Sequence, residues 1–363
     1  MGSSTVTRSR VDPDAPQRKW KHMVVSRADV ARRAGVSPAL VSYVTNGGPR
    51  PVSAAARARI EQAIDELGYT PNTIAQALRG SSTQTVALLV PSAVNGFFGE
   101  LATAIEEQLY ATGNSLAVGI TNDEEEREMR YIESFAARQV DGIMAISSNS
   151  ENTLGLLSRS TVPAIILDRI HHGLDLSSVT IDNRAAAHSV VQHLLEHGHS
   201  IVACVGGRIG TSSADERVDG WREATSTGAG DDRYLARADF TEIGGYEATR
   251  TLLEREGTPP AALFVSSDVQ AVGAIRACAE RGIRVPDDLA IASIDGTVAA
   301  SFMSPSLTSY RQPIEKIAET AVGLLLAMTG DEGDAHSHLT IGGELVLGGS
   351  CGCPEHPISA SGG

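Results

Sequence analysis

Between residues 86 and 294 the chain alternates short aliphatic runs with amphipathic stretches, and this pattern restricts its fold more than any other feature. The runs are Val86–Val90, Ser115–Ile120, Gly142–Ile146, Ala164–Leu167, Ile201–Val205, Ala262–Val265 and Leu289–Ile294. Helical patterns lie between them, among them Phe98–Ala111, Met129–Ala137, Ala185–Glu196, Gly244–Arg255 and Val269–Arg281. An unbroken Val/Ile/Leu run has no polar face to turn to water, so its strand must be covered on both sides. Such strands separated by helices predict parallel sheets with helices on both faces. About 265 residues of this pattern exceed one open sheet, so two doubly wound α/β lobes are expected. Ligands of such sheets bind outside the carboxyl ends of the strands, in the crevice.

Ahead of this body lies a stretch of another kind, Val25–Asn46. Val30, Ala31 and Ala34 give a first short helix one apolar stripe. Gly35 supplies a turn that needs positive φ. Ser37 as N-cap and Pro38 as first helical residue start a second helix, with Val41 and Val44 inward. Two helices this short need a third to cover them. Ser53 caps it, and Ala56, Ile60, Ala63, Ile64 and Leu67 form its inner face. The unit reads as a helix-turn-helix with Pro38–Thr45 as recognition helix, or as an ordinary αα-corner. After Pro71, Asn72 can cap a short segment, TIAQALRG, too short to be helical alone. Ser81–Thr85 reads as a linker.

Net charge separates the two parts. The whole chain carries −14, yet residues 1–84 hold 12 Lys and Arg against 6 Asp and Glu. A basic head on an acidic body is what a chain needs when only the head meets phosphate. No apolar run reaches membrane-spanning length. The first 24 residues lack the apolar core of a signal peptide, so a cytoplasmic protein with reduced thiols is expected. Cys351-Gly-Cys353 lacks the C-x₂-C spacing of a zinc half-site and has no evident partner pair. His193, His197 and His199 invite a metal by their spacing, but no nearby Cys or carboxylate set completes it, and His197-Gly198-His199 reads as a helix end. Gly206-Gly207-Arg208-Ile209-Gly210 lacks the phosphate-loop fingerprint. Asp123–Glu128 reads as a solvated first helical turn. No catalytic constellation stands out, so neither an enzyme nor a cofactor or metal is expected.

The chain resembles the LacI/GalR (lactose-repressor) family of bacterial transcription regulators over about residues 25–353. The resemblance rests on motifs in order: ADVARRAGVS, ELGYTPN leading into IAQALRG, VALLVPSAVNGFFGEL, VDGIMAI, AIILDR, VTIDNRAAAHSVVQHLLEHGH, SSDVQAVGAIRACAERGIRVPDDLAIASID and SPSLTSYRQP. It implies an α/β protein with a three-helix headpiece, a hinge helix and two lobes like those of periplasmic sugar-binding proteins. The boundaries it implies are a tail over 1–24, a headpiece over 25–71, a hinge helix and linker over 72–84, a body over 85–354 and a tail over 355–363. Lobe one would hold about 85–181 and 312–341, lobe two about 182–311 and 342–354. The implied function is a repressor, acting as a homodimer on a near-palindromic double-stranded DNA operator under a small polar effector, a sugar. The rival with the same body, a solute receptor for a transporter, is opposed by the basic head.

The resemblance also assigns residues. Pro38, Ala39 and Tyr43 would face base edges, a set poor in donors, with Tyr43 where an Arg is common. Ser37, Ser42 and Asn46 would contact phosphates. Leu78 would wedge into the minor groove, with Arg79 reaching the groove or phosphates. Phe97, Phe98, Asp168, Arg217, Phe240, Ser267, Asp295 and Gln312 would bind the effector. Their types suit a polyol: carboxylates accept from paired hydroxyls, Arg donates in a fork and aromatics cover a sugar face. Gly96 departs from a Pro often found there, and Ser267 from an Asn. Asp268 is expected to cap a helix or hold a loop.

Overall fold

The structure, a computed structural model, describes residues 25–46, 51–69, 82–147, 150–169, 176–225, 232–255, 257, 259–328 and 337–354. The chain divides into two units, Met1–Arg79 and Gly80–Gly363. The first contains α1 (Arg27–Ala34), α2 (Pro38–Asn46) and α3 (Ala54–Leu67). Ser26 caps α1 in a reciprocal box: its hydroxyl accepts from the Asp29 amide, and the Asp29 carboxylate accepts from the Ser26 amide. Gly35 takes φ +66° and Gly68 +60°, the left-handed caps that end α1 and α3. Val30, Ala31, Ala34, Val41, Ile60, Ala63 and Tyr69 form the buried centre, with Val44, Ile64 and Leu67 packed half-buried against it.

The second unit holds two six-stranded sheets. The first has the order β11-β5-β4-β3-β1-β2. It is built from β1 (Thr85–Val90), β2 (Ser115–Ile120), β3 (Gly142–Ala145), β4 (Ala164–Leu167), β5 (Ser177–Thr180) and β11 (His338–Thr340), all parallel. On one face lie α4 (Gly96–Ala111) and α12 (Ile314–Met328), on the other α5 (Glu125–Ala137) and α6 (Glu151–Ser158). The second sheet has the order β12-β10-β9-β8-β6-β7. Its strands are β6 (Val202–Gly206), β7 (Leu235–Arg237), β8 (Ala262–Val265), β9 (Ala290–Asp295), β10 (Thr308–Arg311) and β12 (Glu344–Val346). Only β12 runs antiparallel among its described pairings. Helices α7 (Asn183–Glu196) and α8 (Ser212–Ala224) cover one face, α9 (Glu242–Glu254) and α10 (Asp268–Glu280) the other, and a short α11 (Val298–Ser301) follows β9.

The chain passes between the sheets after β5, after β10 and after β11. The aliphatic runs form strands, with one difference from the reading of uniform two-sided burial. The run Ser115–Ile120 makes the edge strand β2, where Val118 and Ile120 stay exposed because only β1 flanks it. A close approach fixes α9 on α10: a Cβ at Gly245 would stand 2.0 Å from the Gln270 carbonyl oxygen, and one at Gly273 1.9 Å from that of Glu242. The clamp holds the amino end of α10, and with it Ser267, at the crevice.

Candidate effector crevice and DNA-reading helix

The crevice is assembled from the carboxyl ends of strands in both sheets. Strand β4 ends at Leu167 and delivers Asp168 at φ +63°; β9 ends in Asp295 at φ +125°. Both are positions that an L-residue with a Cβ occupies at a cost, and such strain concentrates at functional sites. Helix α8 supplies Ser213 and Arg217. The amino end of α4 supplies Phe97 and Phe98, whose rings meet edge-on at 5.4 Å.

Arg217, 3% exposed, organises these groups. Its Nε donates to Asn183 Oδ1 at 2.8 Å, and its Nη1 donates to the Ser266 carbonyl at 2.6 Å and faces Asp295 Oδ1 at 3.5 Å. Its Nη2 lies 4.0 Å from Asp168 Oδ1, and its guanidinium lies 5.9 Å from the Phe240 ring centre. Gln312 Nε2 donates to Asp295 Oδ1 at 2.9 Å, extending the ladder to the second passage between lobes. Burial pushes the Asp295 carboxyl up to about 8, even though Arg217 pulls the other way.

Seven of the eight residues assigned to the effector line one narrow crevice: Phe97, Phe98, Asp168, Arg217, Phe240, Ser267 and Asp295. Gln312 is absent from that lining and reaches the crevice through Asp295. The Ser267 hydroxyl caps α10, accepting from the Gln270 amide and donating to Gln270 Oε1 at 3.1 Å. A second space of about 300 Å³ shares Phe98, Arg169 and Phe240 as walls and adds Asn122, Asp123, Arg208 and Asp239.

Three lining residues were not singled out from sequence: Asn95, Arg169 and Ser213. Asn95 was legible as a cap, since its Oδ1 accepts from the Phe97 amide at 3.0 Å. Arg169, 2% exposed, donates to the Ser147 carbonyl and to Asp123 Oδ1, the latter at 2.9 Å, while its buried Nε has no hydrogen-bond partner among the described residues. Its one signal in the sequence is its place after Asp168 in the AIILDR motif. Asp268 is bonded within the protein, as a loop-holding residue should be. Its carboxylate accepts from Ser293 Oγ, Ser309 Oγ and the Thr297 amide and hydroxyl, at 2.6–2.9 Å, tying β9 to β10. Burial outweighs these bonds and raises its pKa.

In the headpiece, Ser37, Pro38 and Ala39 are exposed at the start of α2, and Ser42 and Tyr43 are half-buried along it. The Ser37 hydroxyl accepts from the Leu40 amide at 3.3 Å, so it caps the helix as well as facing outward. Asn46 ends α2. Leu78 and Arg79 lie outside the described residues. Two sequence readings are corrected outright. Asp123–Glu128 is no wholly solvated turn: Asp123 pairs with the buried Arg169, and Glu128 is buried and accepts from Ser147 Oγ at 3.1 Å. The partner pair that Cys351 and Cys353 lack along the chain is provided in space by His193 and His197, four ligand atoms within 4.8 Å of one another. The gap of more than 150 residues hid it. His199 is not part of that group.

A basic three-helix head joined to two parallel-sheet lobes with a polar crevice defines a ligand-responsive DNA-binding regulator. Residues 28–72 match the profile of the bacterial regulatory proteins of the lacI family, and residues 191–351 that of the periplasmic binding protein-like domain. The chain is 36% identical to catabolite control protein A of Priestia megaterium, over 84% of this chain and 92% of that protein. Among solved structures it is similar to the lac repressor dimer bound to operator and the anti-inducer ONPF, with TM-score 0.79 and 26% identity over 90% of this chain and 99% of that one. It is also similar to a complex of the transcriptional regulator CelR with cellobiose, with TM-score 0.68 and 29% identity over the same shares. The chain belongs to the lacI family: it is a DNA-binding transcriptional regulator and not an enzyme. Among the described residues, no helix is long and apolar enough to cross a membrane.

Proposed function

We propose that this regulator is a cytoplasmic repressor, working as a homodimer on a near-palindromic operator, whose DNA affinity is set by a neutral sugar in the crevice. The observation that carries the effector class is charge balance. Arg217 is flanked by Asp168 and Asp295, and Arg169 by Asp123 and Asp168, so each buried guanidinium already has carboxylate company. An anionic ligand would have to displace these partners. A neutral polyol can accept from the guanidinium edges and donate to the carboxylates while Phe97, Phe98 and Phe240 cover its carbon face. The cellobiose in the CelR complex and the operator and dimer of the lac repressor complex support the same reading.

Phe97, Phe98, Asp168, Arg217, Phe240 and Asp295 are the direct effector contacts in this reading, with Ser267 at the rim and Gln312 positioning Asp295. Pro38, Ala39 and Tyr43 read bases, Ser37, Ser42 and Asn46 hold phosphates, and Leu78 and Arg79 act at the minor groove. Lobe one takes about 85–181 and 312–341, lobe two about 182–311 and 342–354, with the headpiece over 25–71 and the hinge over 72–84. The effector controls DNA binding through its differential affinity for two arrangements of the lobes.

The test is fluorescence anisotropy of labelled DNA from around the gene, with purified full chain and a panel of mono- and disaccharides. The expected result is one sugar that shifts operator affinity at least about tenfold, a coupling of about 1.4 kcal/mol. Arg217→Ala should remove that shift and leave DNA binding. A chain that binds sugar but no DNA fragment would restore the receptor reading. A response to anionic metabolites alone would overturn the neutral class.

A further inference from the structure

A second group of side chains, sharing no residue with the crevice and independent of the effector reading, converges on the second lobe. His193 lies in the last turn of α7 and His197 is its C-cap, so their four-residue spacing places both rings on one side, centroids 4.7 Å apart. Facing them is the end of the described chain: Cys351, last residue of the 3-10 turn Gly349–Cys351, and Cys353. His193 Nε2 stands 3.3 Å from Cys351 Sγ and 3.7 Å from Cys353 Sγ, and Cys353 Sγ stands 3.4 Å from His197 Nε2. A tetrahedral zinc ion, with Zn–S of about 2.3 Å and Zn–N of about 2.0–2.1 Å, holds its ligand atoms roughly 3.3–3.8 Å apart. All three separations fall within that range. A chance hydrogen bond to sulfur accounts for one such pair; it does not gather two imidazole nitrogens and two sulfurs within 4.8 Å of one another.

The surroundings are built for a fixed position. Ser350, between the turn's other residues, donates from its hydroxyl to the Ile291 carbonyl at 2.7 Å and accepts from the Thr308 amide at 2.9 Å, which locks the turn to β9 and β10. Gly352 takes φ +95°, a conformation a side chain would resist, and this reversal returns Cys353 to the side of Cys351. Thr308 Oγ1 lies 3.0 Å from Cys351 Sγ and can donate to a thiolate there, the second contact that ordinarily supports a metal ligand. Cys351 is buried while His197 is exposed, so the site has a firm floor and an open entrance.

We propose that His193, His197, Cys351 and Cys353 bind one zinc ion that clips the chain's closing segment to α7. Two thiolates and two imidazoles in tetrahedral array match zinc among the common metals. Four protein ligands leave no open position, so the ion's role is structural. Binding releases two thiol protons to solvent, and no redox change is involved. Because α7 follows the first passage between lobes and Cys351 the third, the clip fastens both ends of the second lobe's sequence together.

The experiment uses full-length protein purified under reductant, stripped with chelator and titrated first with Co(II) and then Zn(II). Expected are the intense visible bands of four-coordinate cobalt, a near-ultraviolet sulfur-to-cobalt band, their loss on adding zinc, and one zinc per chain by elemental analysis. Cys353→Ser and His197→Gln, both on the open side, should each weaken zinc binding at least about tenfold while circular dichroism stays unchanged. Zinc should also protect Cys353 from alkylation; Cys204 and Cys278, fully buried, form a silent background. Absence of stoichiometric zinc, a cobalt spectrum without thiolate character, or binding unmoved in both variants would each overturn the proposal.

Discussion

The headpiece and the crevice are two polar recognition surfaces made by opposite means. In the headpiece every determinant is local. Caps at Ser26, Ser37 and Ser53, left-handed turns at Gly35 and Gly68 and an apolar stripe per helix all fall within 44 residues, from Ser26 to Tyr69. In the crevice Asp168, Arg217, Asp295 and Gln312 come from four distant segments and meet only because two sheets direct their carboxyl ends to one place. The headpiece should therefore fail piecemeal, residue by residue, and the crevice as a unit.

That contrast can be broken most severely at Arg217. Arg217→Ala takes the cation from the buried Asp168 carboxylate, beside an Asp295 carboxyl that is itself protonated below about pH 8, and removing one partner of a buried ion pair costs about 3–5 kcal/mol. The expected outcome is a large fall in the denaturation midpoint of the second unit, with the sugar response lost. A fall under 1 kcal/mol would show that the Asp168 carboxylate is stabilised by other means.

Next in size is Tyr43→Ala, which should cost about 1–3 kcal/mol in operator affinity if the tyrosine reads a base. Binding to unrelated DNA at matched salt should barely change. Equal losses on both would make Tyr43 a packing residue, in keeping with its half-buried position.

The crevice should also respond to pH. Burial holds the folded-state pKa of Asp295 near 8, far above the ordinary carboxylate value. Between the two values the unfolded chain is ionised and the folded chain is protonated, so stability is full below about pH 4 and declines until about pH 8. A fall in Tm of at least about 2–4 °C, equivalent to about 1 kcal/mol, is expected across that window. Asp295→Asn should flatten it and keep the bond from Gln312. An unchanged slope in the variant would place the titrating group elsewhere.

The smallest effect belongs to the headpiece. Ser26→Ala removes the capping box of α1 and should cost about 1 kcal/mol. Hydrogen exchange should quicken at amides of α1 and nowhere in the second unit; spread into the body would mean the two units unfold together.

The same contrast explains what could be read in advance. The helix-turn-helix, its third helix, the aliphatic strands and their helices are set by neighbours within a few residues, and the periodicities carry them. Strands β5, β7, β10 and β12 are short and partly polar, Ser-Ser-Val-Thr for example, and only pairing in the sheet makes them strands. Among the site residues, family motifs contained Asp168 and Asp295, and correspondence of position with the family pointed to Arg217. Arg169 shares the AIILDR motif with Asp168, but its value comes from being buried beside Asp123 and Asp168.

By itself the sequence determined a basic helical reader followed by two parallel-sheet lobes, because hydrophobic period, caps and charge are properties of neighbouring residues. Tertiary structure alone decided which distant polar groups share a space. It placed two strained aspartates on either side of one arginine, and it brought a Cys-x-Cys at the end of the chain to a His-x₃-His on α7, 158 positions apart between His193 and Cys351. A chelating geometry depends on distances between atoms, and distance in space is the quantity that spacing along a chain does not encode once the loop between two segments is long.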